Sequence, residues 1–210
     1  MGLPQARVEE EFPPVASLLA ENERLKREIA IARARIGELE ARADIDPLLD
    51  ILNRRGFERE LKRSLAQVKR YGTQAALMFI DLDSFKAVND RYGHGAGDAL
   101  LKAVTRELVA NVRASDVVGR LGGDEFGVVL WRVEEAQASA KARELEALID
   151  RVGVAHGQAR VQVGASVGAA LLLPDVTPTE MIQAADRAMY ARKEEKREGG
   201  RATPSPSSPA

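Results

Sequence analysis

The stretch RLGGDEFGVV, residues 120–129, decides the fold of this chain. It places two glycines and two carboxylates, those of Asp124 and Glu125, between apolar runs that have the composition of buried β-strands. Glycine weakens the interior of a strand, and a buried carboxylate must be desolvated. The four residues therefore indicate a turn between two strands of a hairpin, although an ordinary Gly-Gly turn with exposed acids has the same pattern.

The run QAALMFIDLD, residues 74–83, predicts a buried strand that ends in acid at Asp81 and Asp83. With the hairpin it belongs to the order strand, helix, strand, turn, strand, helix, strand and helix. That order is typical of a ferredoxin-like α/β (α+β) domain, an antiparallel sheet with helices on one face. In such a sheet the first strand and the hairpin are neighbours, so their acidic ends would meet. Periodicity predicts helices at 48–70, 96–112, 134–152 and 177–197 and strands near 116–121, 125–131 and 159–173.

The predicted sheet would bring the carboxylates of Asp81, Asp83, Asp124 and Glu125 to one edge. Their repulsion would cost several kcal/mol unless solvent or a cation relieves it. Magnesium held by one or two carboxylates, with water and substrate phosphates in its other positions, is an economical solution. Two glycines without side chains would also let a nucleotide approach the backbone of the turn closely.

Charge and composition exclude several classes of function. Lys and Arg number 31 against 32 Asp and Glu, so there is no overall basic field for a nucleic-acid polymer. The chain has no cysteine, which excludes disulfides, thiolate nucleophiles and cysteine metal sites. Its N-terminus lacks the pattern of a secretory signal and no apolar run could span a bilayer. We expect a cytoplasmic protein that does not enter a membrane.

Residues 15–43 predict a parallel coiled-coil homodimer, because apolar side chains repeat in heptads and opposite charges occupy the facing g and e positions. A single amphipathic helix packed on its own domain is the alternative. Before this segment we expect a flexible N-terminus at 1–14, and after it a catalytic domain at 44–197 and a disordered tail at 198–210. The a and d positions are Val15, Leu18, Asn22, Leu25, Ile29, Ala32, Ile36 and Leu39.

Several ordered motifs carry a resemblance to a known family. The string GGDEF at 122–126 is that family's signature, and FIDLDSFKAVNDRYGHGAGDALL at 79–101 is similar to its other long motif. The segments SVGAA at 166–170 and ADRAMYARK at 185–193 are similar to its later blocks. Over residues 46–197 the chain resembles the GGDEF domain of the diguanylate cyclases.

The resemblance implies a cyclase-palm fold that condenses two GTP molecules into cyclic di-GMP and two pyrophosphates. Each protomer of a homodimer would bind one GTP, with Mg²⁺ or Mn²⁺ in a two-metal site. The metal would be held by the side chains of Asp81 and Asp124 and the carbonyl of Leu82. Glu125 would assist at the metal or help to activate the ribose 3′-hydroxyl.

The same resemblance implies how the nucleotide is held. Backbone N–H groups at Ser84, Phe85 and Lys86 would contact the β and γ phosphates, and Lys193 and Arg197 would add cations. These two cations are equally consistent with a solvated basic face at a helix end. The turn glycines that would admit the nucleotide are Gly122 and Gly123.

Guanine recognition is implied for Asn89 and Asp98. A carboxylate can accept hydrogen bonds from the N1 and N2 groups of guanine, which adenine lacks. From the residues alone, Asp98 could instead be the N-cap of the helix after it and Asn89 a turn residue.

The segment RASD, Arg113 to Asp116, matches the motif through which the family binds its product as a feedback inhibitor, and Arg120 is a candidate third member. A surface Arg and Asp at a helix end have the same short pattern. If the active site were idle, the chain would be a cyclic di-GMP receptor using this motif, which is the alternative function.

The chain departs from the family pattern in two blocks. Leu49 and Asp50 stand where a Thr-Gly pair is usual. In the last block Arg192 stands where the family prefers an alanine before the lysine at 193. The usual Gly-Arg-Asn close is replaced by Lys196, Arg197 and Glu198.

Overall fold

The computed structural model describes residues 17, 19–29, 31, 44–157 and 159–201. Contacts between Cα atoms divide the chain into two units, Met1–Ala43 and Asp44–Ala210. In the first unit residues 19–29 are helical, with exposed side chains. Most of the heptad positions of the predicted coiled coil lie outside the described residues, as do the predicted N-terminus at 1–14 and residues 202–210. The coiled coil stays a prediction.

The second unit alternates helices and strands. Its helices are α1 (Arg54–Tyr71), α2 (Phe85–Tyr92), α3 (His94–Ala110), α4 (Glu135–Ile149) and α5 (Pro178–Arg201), and its strands are β1 (Ala75–Asp83), β2 (Val117–Arg120), β3 (Glu125–Trp131), β4 (Gly153–His156), β5 (Ala159–Gln162) and β6 (Gly164–Leu171).

Four strands form one antiparallel sheet in the order β2-β3-β1-β6. The central strand β1 pairs with β3 on one side and β6 on the other. β4 and β5 form a separate hairpin. The sheet order and the helical crossovers are those of a ferredoxin-like α/β domain, and the predicted neighbourhood of the first strand and the hairpin is confirmed.

Helices cover both faces of the sheet. Met78 and Ile80 of β1 belong to a core cluster that includes α3 and α4. Leu77 and Phe79, which point the other way, pack with α1 and α5. The expectation of helices on one face was therefore wrong. A strand buried along both sides, as β1 is from Ala75 to Ile80, requires a helical layer on each side.

The helix predicted at 48–70 begins later, at Arg54. Asn53 is its N-cap, and its side chain accepts the N–H of Gly56 at 3.0 Å. In the loop before it Asp50 has φ 55°, the left-handed region that Asp tolerates better than most residues. This conformation explains how the chain accommodates an aspartate where the family that it resembles usually has glycine.

Three further elements differ from the sequence prediction. The predicted strand at 159–173 is divided into β5 and β6, with β4 pairing to β5. Helix α2 was not predicted, because it is only eight residues long. Helix α5 continues to Arg201, past the predicted end at 197.

Helix α5 lies directly on β6. A Cβ atom at Gly168 would be 2.0 Å from the main-chain nitrogen of Met189 and 2.3 Å from the carbonyl oxygen of Ala185. A larger residue than glycine would separate helix and strand. This close packing holds the helix that carries Lys193 beside the acidic end of β1. Throughout the described ranges, none of the helices combines the length and the apolar character needed to cross a membrane.

Candidate active site

The acidic end of β1 meets the acidic turn, which we define as residues 121–124. Asp81 is directly opposite Glu125 in the pairing of β1 with β3. One residue on, the main-chain N–H of Leu82 donates to the carbonyl of Asp124 at 3.1 Å. Two segments far apart in sequence thus present their carboxylates at one edge of the sheet.

Arginine side chains hold the acidic turn in shape. The guanidinium of Arg120 donates to the carbonyls of Gly122 at 3.0 Å and Gly123 at 2.7 Å, and it also binds Asp46 at 3.1 Å. Arg54 donates to the carbonyl of Leu121 at 2.7 Å. The turn therefore presents its backbone in a fixed conformation.

The two turn glycines have different surroundings. A Cβ atom at Gly122 would be 2.3 Å from Oε2 of Glu125, so a side chain there would displace that carboxylate. Gly123 has open space around the corresponding position. The absence of side chains leaves room at the turn for another molecule.

Burial and like charge raise the pKa of two carboxylates. Desolvation raises the pKa of Asp124 most, and the negative charge of Asp81 raises it further. Desolvation also raises the pKa of Glu125, opposed by Arg54 and supported by Asp81 and Asp124. The edge has an excess of negative charge that a cation would offset.

A cation of the chain itself contacts this edge. Nζ of Lys193 hydrogen bonds to Oδ1 of Asp81 and lies 3.9 Å from Oδ1 of Asp83. Oδ1 of Asp83 also accepts the hydroxyl of Ser166 at 2.9 Å. The other predicted phosphate ligand, Arg197, is exposed and pairs with Glu194 at 2.7 Å. The structure thus brings Lys193 to the carboxylates of β1. The described contacts of Arg197 do not include those carboxylates.

The donor set suits magnesium. Among the described residues no three or more His, Cys, Asp or Glu side chains form a group that could hold a metal ion. Asp81 and Asp124, with the backbone of Leu82 beside them, instead form a pair of carboxylates. Magnesium is commonly held by one or two carboxylates while water and phosphates complete its coordination. The raised pKa of Asp124 beside Asp81 fits such a cation site.

The segment after β1 presents backbone donors. Ser84 has φ 58° and precedes α2, and the first N–H groups of a helix, here those of Phe85 and Lys86, have no intrahelical acceptors. The side chain of Phe85 is buried and that of Lys86 is exposed. These N–H groups could donate hydrogen bonds to phosphate oxygens.

The predicted guanine-reading pair lies on two consecutive helices. Asn89 is inside α2, and its Oδ1 lies so near Gly97 that a Cβ atom there would be 2.0 Å away. Asp98 is exposed in α3, one residue further on. The N-cap of α3 is Gly93, so the alternative role of Asp98 as an N-cap is wrong. Asn89 is likewise a helical residue.

The predicted product-inhibitory residues fall into two places. Asp116 accepts the N–H of Arg113 at 2.8 Å and the N–H of Trp131 at 3.1 Å, which fixes the start of β2. Arg113 is exposed and borders two grooves of about 390 and 730 Å³ that Trp131 and Arg132 also line. Arg120 is at the opposite end of β2, bound to the acidic turn. The structure does not bring it to Arg113.

Sequence reasoning missed two residues that contact the site or its supports. Arg54 reaches the acidic turn from the first residue of α1, and nothing in its local pattern indicates that partner. Glu146 is buried on α4 and receives the guanidinium of Arg192. The sequence feature that could have indicated its role is its position on the same apolar helix face as Ala138 and Ala142, where a charged residue is unusual.

Known proteins similar to this chain agree with the geometry. The family model "Diguanylate cyclase, GGDEF domain" matches residues 43–199. The bifunctional diguanylate cyclase/cyclic di-GMP phosphodiesterase MucR of Pseudomonas aeruginosa is 41% identical over 157 residues, which are 73% of this chain and 22% of that protein. The chain thus spans about a fifth of the length of this relative.

Two solved structures from Caulobacter crescentus are similar in fold. A sensory box/GGDEF family protein is 35% identical with a TM-score of 0.67, and the match covers 72% of this chain and 99% of that one. The coiled coil and GGDEF domain of DgcB in complex with c-di-GMP is 25% identical with a TM-score of 0.71, covering 85% and 95% respectively. On its sequence match and its fold, the chain belongs to the GGDEF-domain family of diguanylate cyclases.

Proposed function

We propose that this chain is a diguanylate cyclase, which condenses two GTP molecules into cyclic di-GMP and releases two pyrophosphates. The observation that carries the proposal is the pairing of Asp81 with Glu125 at the edge where Leu82 binds the carbonyl of Asp124. The names of its relatives and the solved complex of DgcB with c-di-GMP support it.

Asp81 and Asp124, with the carbonyl of Leu82, would hold Mg²⁺ or Mn²⁺, two ions in the complete site. When bound, the metal supplies positive charge that stabilises the charge developing on the phosphate oxygens. Glu125, whose pKa is raised by burial, is a better proton acceptor than an ordinary glutamate and would accept the proton of the ribose 3′-hydroxyl. No nucleophile of the protein is needed.

The remaining residues would bind and orient GTP. The N–H groups of Phe85 and Lys86 and the ammonium of Lys193 would contact the β and γ phosphates. Asn89 and Asp98 would recognise guanine. With adenine, which lacks the N1 and N2 donors, their acceptor oxygens would stay unpaired and binding would be weaker. Arg197 would join the phosphates if it exchanged its exposed partner Glu194, whose ion pair with it is weak in water.

One protomer would bind one GTP, so the product would form where two sites face each other in a homodimer. A parallel coiled coil at residues 15–43 would raise the effective concentration of one domain near the other.

Arg113 and Asp116 would bind cyclic di-GMP as a feedback inhibitor, since the exposed guanidinium of Arg113 borders two grooves that could admit it.

The deciding experiment incubates the purified chain with GTP and Mg²⁺ and follows cyclic di-GMP by chromatography, with its oligomeric state verified and Asp124→Ala as the control. The cyclase forms product and the control does not. A verified dimer that binds cyclic di-GMP but forms none from GTP would reject the cyclase in favour of the idle receptor. The intact acidic turn favours the cyclase.

A further inference from the structure

Glu146 is a buried carboxylate outside the site described above. It lies on α4 with a relative exposure of 4%, and a buried charge of this kind persists only where partners compensate it. Its partners come from two other elements.

Both oxygens of Glu146 are engaged. Oε1 accepts the N–H of Val167 on β6 at 3.1 Å and Nε of Arg192 on α5 at 3.1 Å. Oε2 accepts Nη2 of Arg192 at 2.9 Å and lies 3.7 Å from Nζ of Lys196. One carboxylate thus joins α4, β6 and the C-terminal part of α5.

The two cations it binds are one helical turn apart on α5, and they flank Lys193. Arg192 directly precedes Lys193, and Lys196 follows it by three residues, so the ammonium groups of the two lysines are neighbours on the helix surface. Lys196 also lies 3.9 Å from Asp83 and donates to the carbonyl of Ala165. Fixing Arg192 and Lys196 therefore fixes the turn of helix from which Lys193 reaches Asp81.

We infer that Glu146 is a positioning residue for Lys193. By holding Arg192 and Lys196, it fixes the rotation of α5 and its position along the helix axis, so that the ammonium of Lys193 reaches Asp81. This assigns a role to the two cations by which the last block departs from the family pattern. The inference rests on the proposed function only for the identity of the nucleotide whose phosphates Lys193 would contact.

A double-mutant cycle tests it on the full chain. Binding of guanosine 5′-(α,β-methylene)triphosphate with Mg²⁺ is measured by calorimetry. This analogue cannot be condensed, because a methylene group replaces the oxygen between its α and β phosphorus atoms. We expect Glu146→Gln to raise the Kd about tenfold, in the range typical of lost outer-sphere partners. In a Lys193→Ala background the same substitution should change the Kd less than twofold, while its effect on Tm should be the same in both backgrounds.

Glu195→Gln is the matched control. It removes the same charge from the same arginine, but Glu195 is 68% exposed and its 3.2 Å contact with Arg192 is screened by solvent. Its Kd and Tm should stay at wild-type values.

Two results would overturn the inference: an equal rise in Kd for Glu146→Gln in both backgrounds, or a lower Tm with an unchanged Kd. A crystal structure of the Glu146→Gln variant gives a readout without nucleotide, because Nζ of Lys193 should have left Asp81, and its retention there would contradict the inference. Failure to form cyclic di-GMP would reject the proposed function alone, since neither readout depends on turnover.

Discussion

The main-chain N–H of Leu82 donates a 3.1 Å hydrogen bond to the main-chain carbonyl of Asp124. Because the bond joins two backbones, it holds the acidic turn against the end of β1 and the carboxylate of Asp124 takes no part in it. The side chain at this position can therefore be changed while the turn keeps its place. Loss of the charge and loss of the fold become separable.

Asp124→Asn should abolish catalysis and preserve the fold. The amide cannot supply the charge that the metal requires, and metal stabilisation of the transition state is worth several kcal/mol, so we expect cyclic di-GMP formation to fall about 100-fold or more. Chromatography of the product measures this. An unchanged circular dichroism spectrum is the control for folding. A variant that kept a tenth of the activity would exclude Asp124 as a metal ligand.

The same substitution should stabilise the metal-free protein. Folding raises the pKa of Asp124, so the native state binds this proton more tightly than the unfolded state and stability falls as pH rises. The full penalty is present above the raised pKa and disappears as pH falls towards the ordinary value of 3.8. In chelator at neutral pH the variant should melt higher than wild type, and the gain should shrink in acid. Added Mg²⁺ should raise the Tm of wild type only.

Arg120→Ala should reduce activity by loosening the acidic turn. The guanidinium binds two turn carbonyls and Asp46, and hydrogen bonds of charged groups contribute about 1.5–3 kcal/mol each. We expect a lower Tm and a lower kcat. Arg120→Lys is the matched control: a single ammonium cannot reproduce the planar fork, so it should not restore kcat. Full activity of the lysine variant would show that charge alone suffices.

Arg113→Ala should relieve inhibition by cyclic di-GMP without affecting the fold. Its guanidinium is exposed, whereas the bonds that fix the start of β2 are made by the carboxylate of Asp116 and by backbone groups. We expect the concentration of product for half-inhibition to rise about tenfold, as for a lost charged hydrogen bond. Arg106→Ala, an exposed arginine on α3, is the control. Undiminished inhibition of the Arg113 variant would reject this site.

The local sequence pattern was sufficient to predict the strand that ends in acid at Asp81 and Asp83, the hairpin, and their adjacency. Glycines, carboxylates and apolar runs can be identified from the sequence alone. The pattern could not show that Arg120 binds the acidic turn, since its nearest partners are backbone carbonyls whose position depends on the turn conformation. The partnership of Glu146 with Arg192 joins residues 46 positions apart, and only the packing of α5 on β6 brings them together. Short elements such as β4 were missed because their exposed residues carry little periodicity.

Gly97→Ala should weaken GTP binding through Asn89. A Cβ atom at Gly97 would be 2.0 Å from Oδ1 of Asn89, so the amide must move away from the position that supports guanine recognition. Misplacement of a positioning group by about 1 Å can cost up to about 100-fold, and we expect KM for GTP to rise about tenfold or more. Steady-state kinetics with GTP measure it.

Gly95→Ala is the matched control for this substitution. It lies two residues earlier in α3, with nothing within 4 Å of its Cβ position, so alanine there meets open space. Alanine is the better helix former by up to about 1 kcal/mol, and this variant should be as stable as wild type or slightly more so, with KM unchanged. Since both substitutions improve helix propensity, a rise in KM confined to position 97 comes from what the added Cβ atom meets there, above all Oδ1 of Asn89 at 2.0 Å and, less closely, the ring of Phe85 at 3.1 Å. Equal KM values for the two variants would remove Asn89 from the guanine site.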